Sequence, residues 1–190
     1  MKHSKSFSFG TLILAIFGLF SCVGEISNEI DQDPYFDLKG FVEENIQKLD
    51  SVQVAKVSQV QGDQKEVTVV YSKQDWEEEF SIFKEADINK ASMLQSYKTT
   101  SSDELLVHEA LPDSKEKVKY IKVAYDNGSV SSVSIKIEDD NLFYSTTTMA
   151  AIYVNNATKL IDKYAIETTQ KIWFLDENDM KIEGKIVTKP

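Results

Sequence analysis

Two side chains in this sequence are equipped for nucleophilic or acid–base chemistry of their own, the thiol of Cys22 and the imidazole of His108. Cys22 is the single cysteine, so no disulfide can form within the chain. Zinc is excluded, because its sites draw on several Cys and His ligands. The other histidine, His3, lies in the first few residues, leaving His108 as the only imidazole of the remainder. A Ser-His-Asp relay is formally possible only through it, in Glu104-Leu105-Leu106-Val107-His108-Glu109. No nucleophile elbow lies near, and a strand-borne histidine of this kind reads as an ordinary edge or surface residue.

Carboxylates are plentiful but do not converge. Trp76-Glu77-Glu78-Glu79 places three acids at consecutive positions, which on a helix point in different directions and suit a solvated face near a helix start. Asp139-Asp140-Asn141 and Asp176-Glu177-Asn178-Asp179 supply the hard oxygens that calcium prefers. Neither has EF-hand spacing, and turn chemistry accounts for both. Asn127-Gly128-Ser129 is a lone hairpin glycine rather than a phosphate loop. The sequence assigns no catalytic residue and calls for no cofactor or metal.

The placement of Cys22 is more informative than its chemistry. Met1 to Ser6 carries Lys2 and Lys5 and no acid, and Phe7 to Phe20 is almost wholly apolar. That run has the length of a secretory core, too short for a bilayer span of about 20 residues. Leu19, Ser21 and Cys22 at its end resemble the lipobox of bacterial lipoproteins, with Phe20 departing from the small residue usual there. The resemblance implies that residues 1–21 are a signal peptide and that Cys22 becomes a diacylated and then acylated N-terminus. Residues 22–32 would be a lipidated tether. Acyl chains of this kind hold a protein on a membrane without a transmembrane helix, each buried methylene contributing about 0.8 kcal/mol. The chain as a whole is similar to small lipoproteins of Bacteroidota, a family that brings no activity to import but implies a cell-envelope address at the outer membrane.

Removal of residues 1–21 takes away two lysines and no acid, which moves the formal net charge from −10 to −12. Every basic residue is a lysine. Without an arginine fork or a basic stripe, nucleic acid is not an expected partner.

The elements that must position these residues follow from periodicity. Asp33-Pro34 can open a helix, and Leu38, Phe41, Val42, Ile46 and Leu49 then recur on one helical face. Val52 to Val60 and Lys65 to Tyr71 flank Gln61-Gly62-Asp63-Gln64 as a hairpin. Ser72-Lys73-Gln74-Asp75 is a capping-box pattern before a second helix whose stripe is Trp76, Phe80, Phe83 and Ala86. From Gln95 the period changes to two. Strands are expected over Gln95 to Thr100, Leu105 to Leu111, Val118 to Tyr125, Val130 to Glu138, Leu142 to Val154, Leu160 to Phe174 and Met180 to Val187. Short acidic and Asn-Gly turns between them make neighbours in sequence neighbours in space. Residues 33–190 thus read as a single α+β domain, two N-terminal helices and a small hairpin packed on an antiparallel β-meander of about seven strands.

Seven strands give a sheet roughly 34 Å across, whereas two packed helices cover only about 20 Å. A groove lined by Tyr144, Ile152, Tyr164, Ile166 and Trp173 is one way of leaving the difference open. Alternation sets Tyr164 and Ile166 on one face and Trp173 on the other, so at least one large aromatic should lie outside the packed layer. Two functions of different class follow. One is a non-catalytic interaction module, tethered to the membrane by its lipid, that docks another envelope protein. The other is a carrier of an apolar ligand such as a lipid on a curved antiparallel sheet.

Overall fold

The computed structural model describes residues 34–187; the leader, Cys22 and the tether lie outside the described residues. The chain runs α1 (Leu38–Lys48), β1 (Val52–Val60), β2 (Asp63–Tyr71), α2 (Lys73–Glu79), α3 (Ser81–Glu85), a 3-10 turn (Ala91–Met93), then β3 (Tyr97–Ser101), β4 (Leu105–Ala110), β5 (Val118–Asp126), β6 (Ser129–Asp140), β7 (Tyr144–Val154), β8 (Ile161–Ile172) and β9 (Asn178–Ile186). All nine strands form one antiparallel sheet in the order β2-β1-β9-β8-β7-β6-β5-β4-β3. The α+β architecture is as expected in outline, while the strand count and the helices differ. The β1–β2 hairpin is not packed on a seven-stranded meander but extends it, through pairing of β1 with β9 from Val54↔Ile186 to Val60↔Met180. β1 needs a partner on its second side, and joining β9 supplies it while leaving only β2 and β3 at the edges.

The helix starts also differ. Asp37, not Asp33, caps α1, accepting the Gly40 N–H at 2.7 Å. The preceding aromatics are used elsewhere: Tyr35 donates its hydroxyl to Leu94 O at 2.8 Å, and the Phe36 N–H reaches His108. The capping box at Ser72 and Asp75 is present, but the following helix breaks at Phe80 into α2 and α3. The break lets one apolar stripe follow a twisted sheet, and Trp76, Phe80, Phe83 and Ala86 are all fully buried.

Register carries the core across the sheet. Ile121 faces Ile135, Val133 faces Ile152, Ile152 faces Tyr164 and Tyr164 faces Gly184. At Gly184 any Cβ would collide with the Tyr164 ring, so this position must be glycine for the ring to lie flat across β9. The ring then stacks edge-on against Trp76 and Phe80, and Trp76 Nε1 donates to Leu49 O at 2.7 Å. The opposite face is polar and carries Lys136–Glu138 and Lys181–Glu183 ion pairs at 2.7 and 3.0 Å.

Candidate functional site

Of the two chemical candidates of the sequence, Cys22 lies outside the described residues and His108 lies within them. His108 is buried on β4, its Nε2 accepting the Phe36 N–H at 3.0 Å and its Nδ1 lying 2.8 Å from Thr99 Oγ1. Both nitrogens are committed to holding the N-terminal segment against the β3–β4 edge, and burial lowers the imidazole's pKa. Glu79 is the one acid of its helical cluster aimed at the sheet. It accepts Lys56 Nζ at 2.7 Å and Tyr71 OH at 3.1 Å on one oxygen, and Tyr164 OH at 2.7 Å on the other. Its acceptor sites are filled by side chains that tie α2 to β1, β2 and β8, an arrangement that fixes position rather than moves protons. Burial and the Glu79 carboxylate raise the Tyr164 phenol far above its ordinary value, so it stays a donor.

The five candidate groove residues do not form one surface. Ile152, Tyr164 and Ile166 belong to the core under the helices, Tyr144 is half-buried near one end of the sheet, and Trp173 is 78% exposed. Tyr164 packs against Trp76 and Phe80 in the buried cluster it shares with Ile152 and Ile166, whereas Trp173 falls beyond the end of β8.

Trp173 instead belongs to an exposed apolar tip that alternation does not reveal. Leu142 and Phe143 form the β6–β7 turn, and Trp173, Phe174 and Leu175 begin the β8–β9 loop; their exposures run from 51% for Leu175 to 90% for Leu142. Asn141 builds the first turn, its Oδ1 accepting the N–H groups of Phe143 at 2.8 Å and Tyr144 at 3.2 Å. The Trp173 N–H donates to Phe143 O at 3.0 Å, fastening the two loops into one projection. Acids ring it. Asp140, Asp176 and Glu177 are exposed, while Asp139 is held by Lys117 at 2.8 Å and by Tyr144 OH at 3.2 Å. Asn141 thus spends its carbonyl oxygen on the turn, and among the described residues no three Asp, Glu, His or Cys side chains gather as a metal site.

The sequence expectation had Leu142 and Phe174 inside strands. The signal against it is the run of adjacent large apolar residues, Leu142-Phe143 and Trp173-Phe174-Leu175, each flanked by acidic turn residues. Neighbours in a strand point to opposite faces, so such runs cannot all enter one core. No protein-family model, curated protein or solved structure matches this chain. Among the described residues no helix is long and apolar enough to cross a membrane.

Proposed function

We propose that this chain is a non-catalytic interaction module of the cell envelope, held at the outer membrane by lipid on Cys22, that docks a partner protein through the apolar tip. The observation that supports this reading is the exposed cluster of Leu142, Phe143, Trp173, Phe174 and Leu175. Contiguous apolar patches of this kind mark contact sites in folded proteins, and burying a single large side chain contributes about 1.5–3 kcal/mol. The acidic ring gives the partner its chemistry: an apolar pocket rimmed by lysine or arginine. The same ring disfavours an anionic lipid surface. A lipid carrier has less in its support, since Ile152, Tyr164 and Ile166, which would line its groove, are packed beneath the helices.

A photoreactive side chain placed at position 174 in cells tests the reading. The expected result is one discrete protein adduct whose yield falls sharply with Trp173→Ala and with the pair Asp176→Lys and Glu177→Lys. Adducts to lipid alone, or none above a control at exposed Glu109 on β4, would sink it.

A further inference from the structure

β2 is the terminal strand of the sheet, and its outer side is an unpaired edge among the described residues. Which groups that edge offers follows from the turn. Gln61 and Gly62 have φ of 51° and 89° and make a two-residue loop between the partners Val60 and Asp63, so Val60/Asp63 is the hydrogen-bonded pair that closes it. Alternation then turns the backbone of Asp63, Lys65, Val67, Val69 and Tyr71 toward β1. Gln64, Glu66, Thr68 and Val70 present their N–H and C=O groups outward.

We infer that two copies of this chain associate by antiparallel pairing of their β2 edges about a two-fold axis at Val67. Symmetry requires outward residues to face outward residues, which confines the axis to a few positions. An axis at Glu66 would set two carboxylates directly opposite, a destabilising pair. An axis at Thr68 would leave Gln64 facing the end of the strand. The Val67 axis pairs Glu66 with Thr68 and Gln64 with Val70 in both directions, using all four outward residues with no like charges opposed. It also covers Val70, which is 64% exposed.

The side-chain fit on the helix-bearing face is equally specific. A cleft of about 390 Å³ runs along β2 beside the start of α2 and is lined by Lys65, Val67, Val69 and Asp75 among others. In the Val67 register, Lys65 of the second copy lies opposite Val69 and enters this cleft at Asp75. Asp75 has an oxygen to offer: its Oδ2 takes both the Ser72 N–H and the Ser72 hydroxyl at 2.7 Å, and its Oδ1 has no hydrogen-bond partner among the described residues. Two Lys65–Asp75 contacts result, one for each copy. Val67, on the cleft's apolar floor, meets its own equivalent across the axis.

The experiment is sedimentation equilibrium of the full chain carrying Cys22→Ser, together with edge variants whose own melting is checked. The parent should form a reversible dimer. Thr68→Pro removes an outward N–H and no β1–β2 hydrogen bond, and should leave monomer that melts like the parent. Thr68→Lys faces Glu66 of the second copy twice and should tighten the dimer roughly threefold to tenfold, while Thr68→Glu should loosen it by a similar factor. The gain with lysine cannot arise from misfolding. Val67→Cys in the same background should form an intermolecular disulfide readily, because facing side chains at a non-hydrogen-bonded pair stand within bonding reach, and Val70→Cys should not. A parent that stays monomeric at the highest concentration reached, a looser dimer with Thr68→Lys, or equal crosslinking at 67 and 70 would overturn the proposal.

Discussion

His108 is kept neutral by the direction of a backbone donor. Because the Phe36 N–H points at Nε2, that nitrogen must keep its lone pair, and the ring proton sits on Nδ1 toward Thr99 Oγ1. Protonation would place a second N–H against the first and would also charge a buried ring. The Tyr35 ring packs edge-on at 5.2 Å, and its phenol, raised by burial, stays neutral in this range. The sign of the linkage follows. The folded imidazole binds its proton more weakly than the unfolded one, so stability is complete above the ordinary histidine value of about 6.5 and declines as pH falls below it. Asp75 and Asp139, whose carboxyls are held low by hydrogen bonds to Ser72 and Lys117, lose their contributions only below about pH 4. The melting temperature should therefore be flat from pH 8 to about 6.5 and fall toward pH 5, and His108→Gln, which keeps an acceptor for Phe36, should flatten that fall. A native melting temperature that does not move between these limits would show that the histidine latch contributes nothing.

At the scale of elements, the α2 helix is tied to the sheet by a polar contact placed where the core ends. The side chains of Lys56 and Glu79 are only 17% and 11% exposed, so each relies on the other. Removing one partner strands a charge, and Glu79→Leu should cost about 3 kcal/mol, whereas the paired change Lys56→Met with Glu79→Leu should recover the part due to the stranded lysine, the Tyr164 hydroxyl still lacking its acceptor. Urea titrations of Glu79→Leu, Lys56→Met and the paired change measure this coupling; equal costs for Glu79→Leu and the paired change would mean that the contact is incidental. The helix stripe through Trp76, Phe80 and Phe83 and the alternation of Val133, Ile135 and Ile137 are legible in sequence because burial repeats with the element's own period. So is the Asn127-Gly128 turn, where both residues have positive φ. Pairing of β1 with β9 is not legible, since it joins residues near opposite ends of the chain and no local pattern encodes a distant partner. Of the candidate contact residues, Trp173 was within reach of sequence reasoning. Its neighbours Leu142, Phe143 and Phe174 were hidden because apolar residues beside a strand are naturally read as its continuation.

For the molecule as a whole, the sheet order makes one body of the described chain. β1 lies between the edge strand β2 and β9, so the first and last strands of the chain are paired to each other. Among the described residues no helix is long and apolar enough to cross a membrane, and the charge does not favour a membrane surface. Beyond residue 21 the formal net charge is −12, with lysines scattered among a larger number of acids, so an anionic membrane surface would repel rather than gather it. On the reading proposed above, lipid on Cys22 is the anchor. On that reading a tether over residues 22–32 would reach about 17 Å by the square-root estimate, which would keep the domain near the surface yet leave the apolar tip free to turn toward a neighbouring protein. Cys22→Ser should therefore move the protein from the membrane to the soluble fraction and abolish incorporation of labelled acyl chains. The release should be as complete at low salt as at high salt, because no electrostatic attraction remains to be screened. Retention that yields only to high salt would assign the attachment to charge, and retention with continued acyl labelling would remove Cys22 as the anchor.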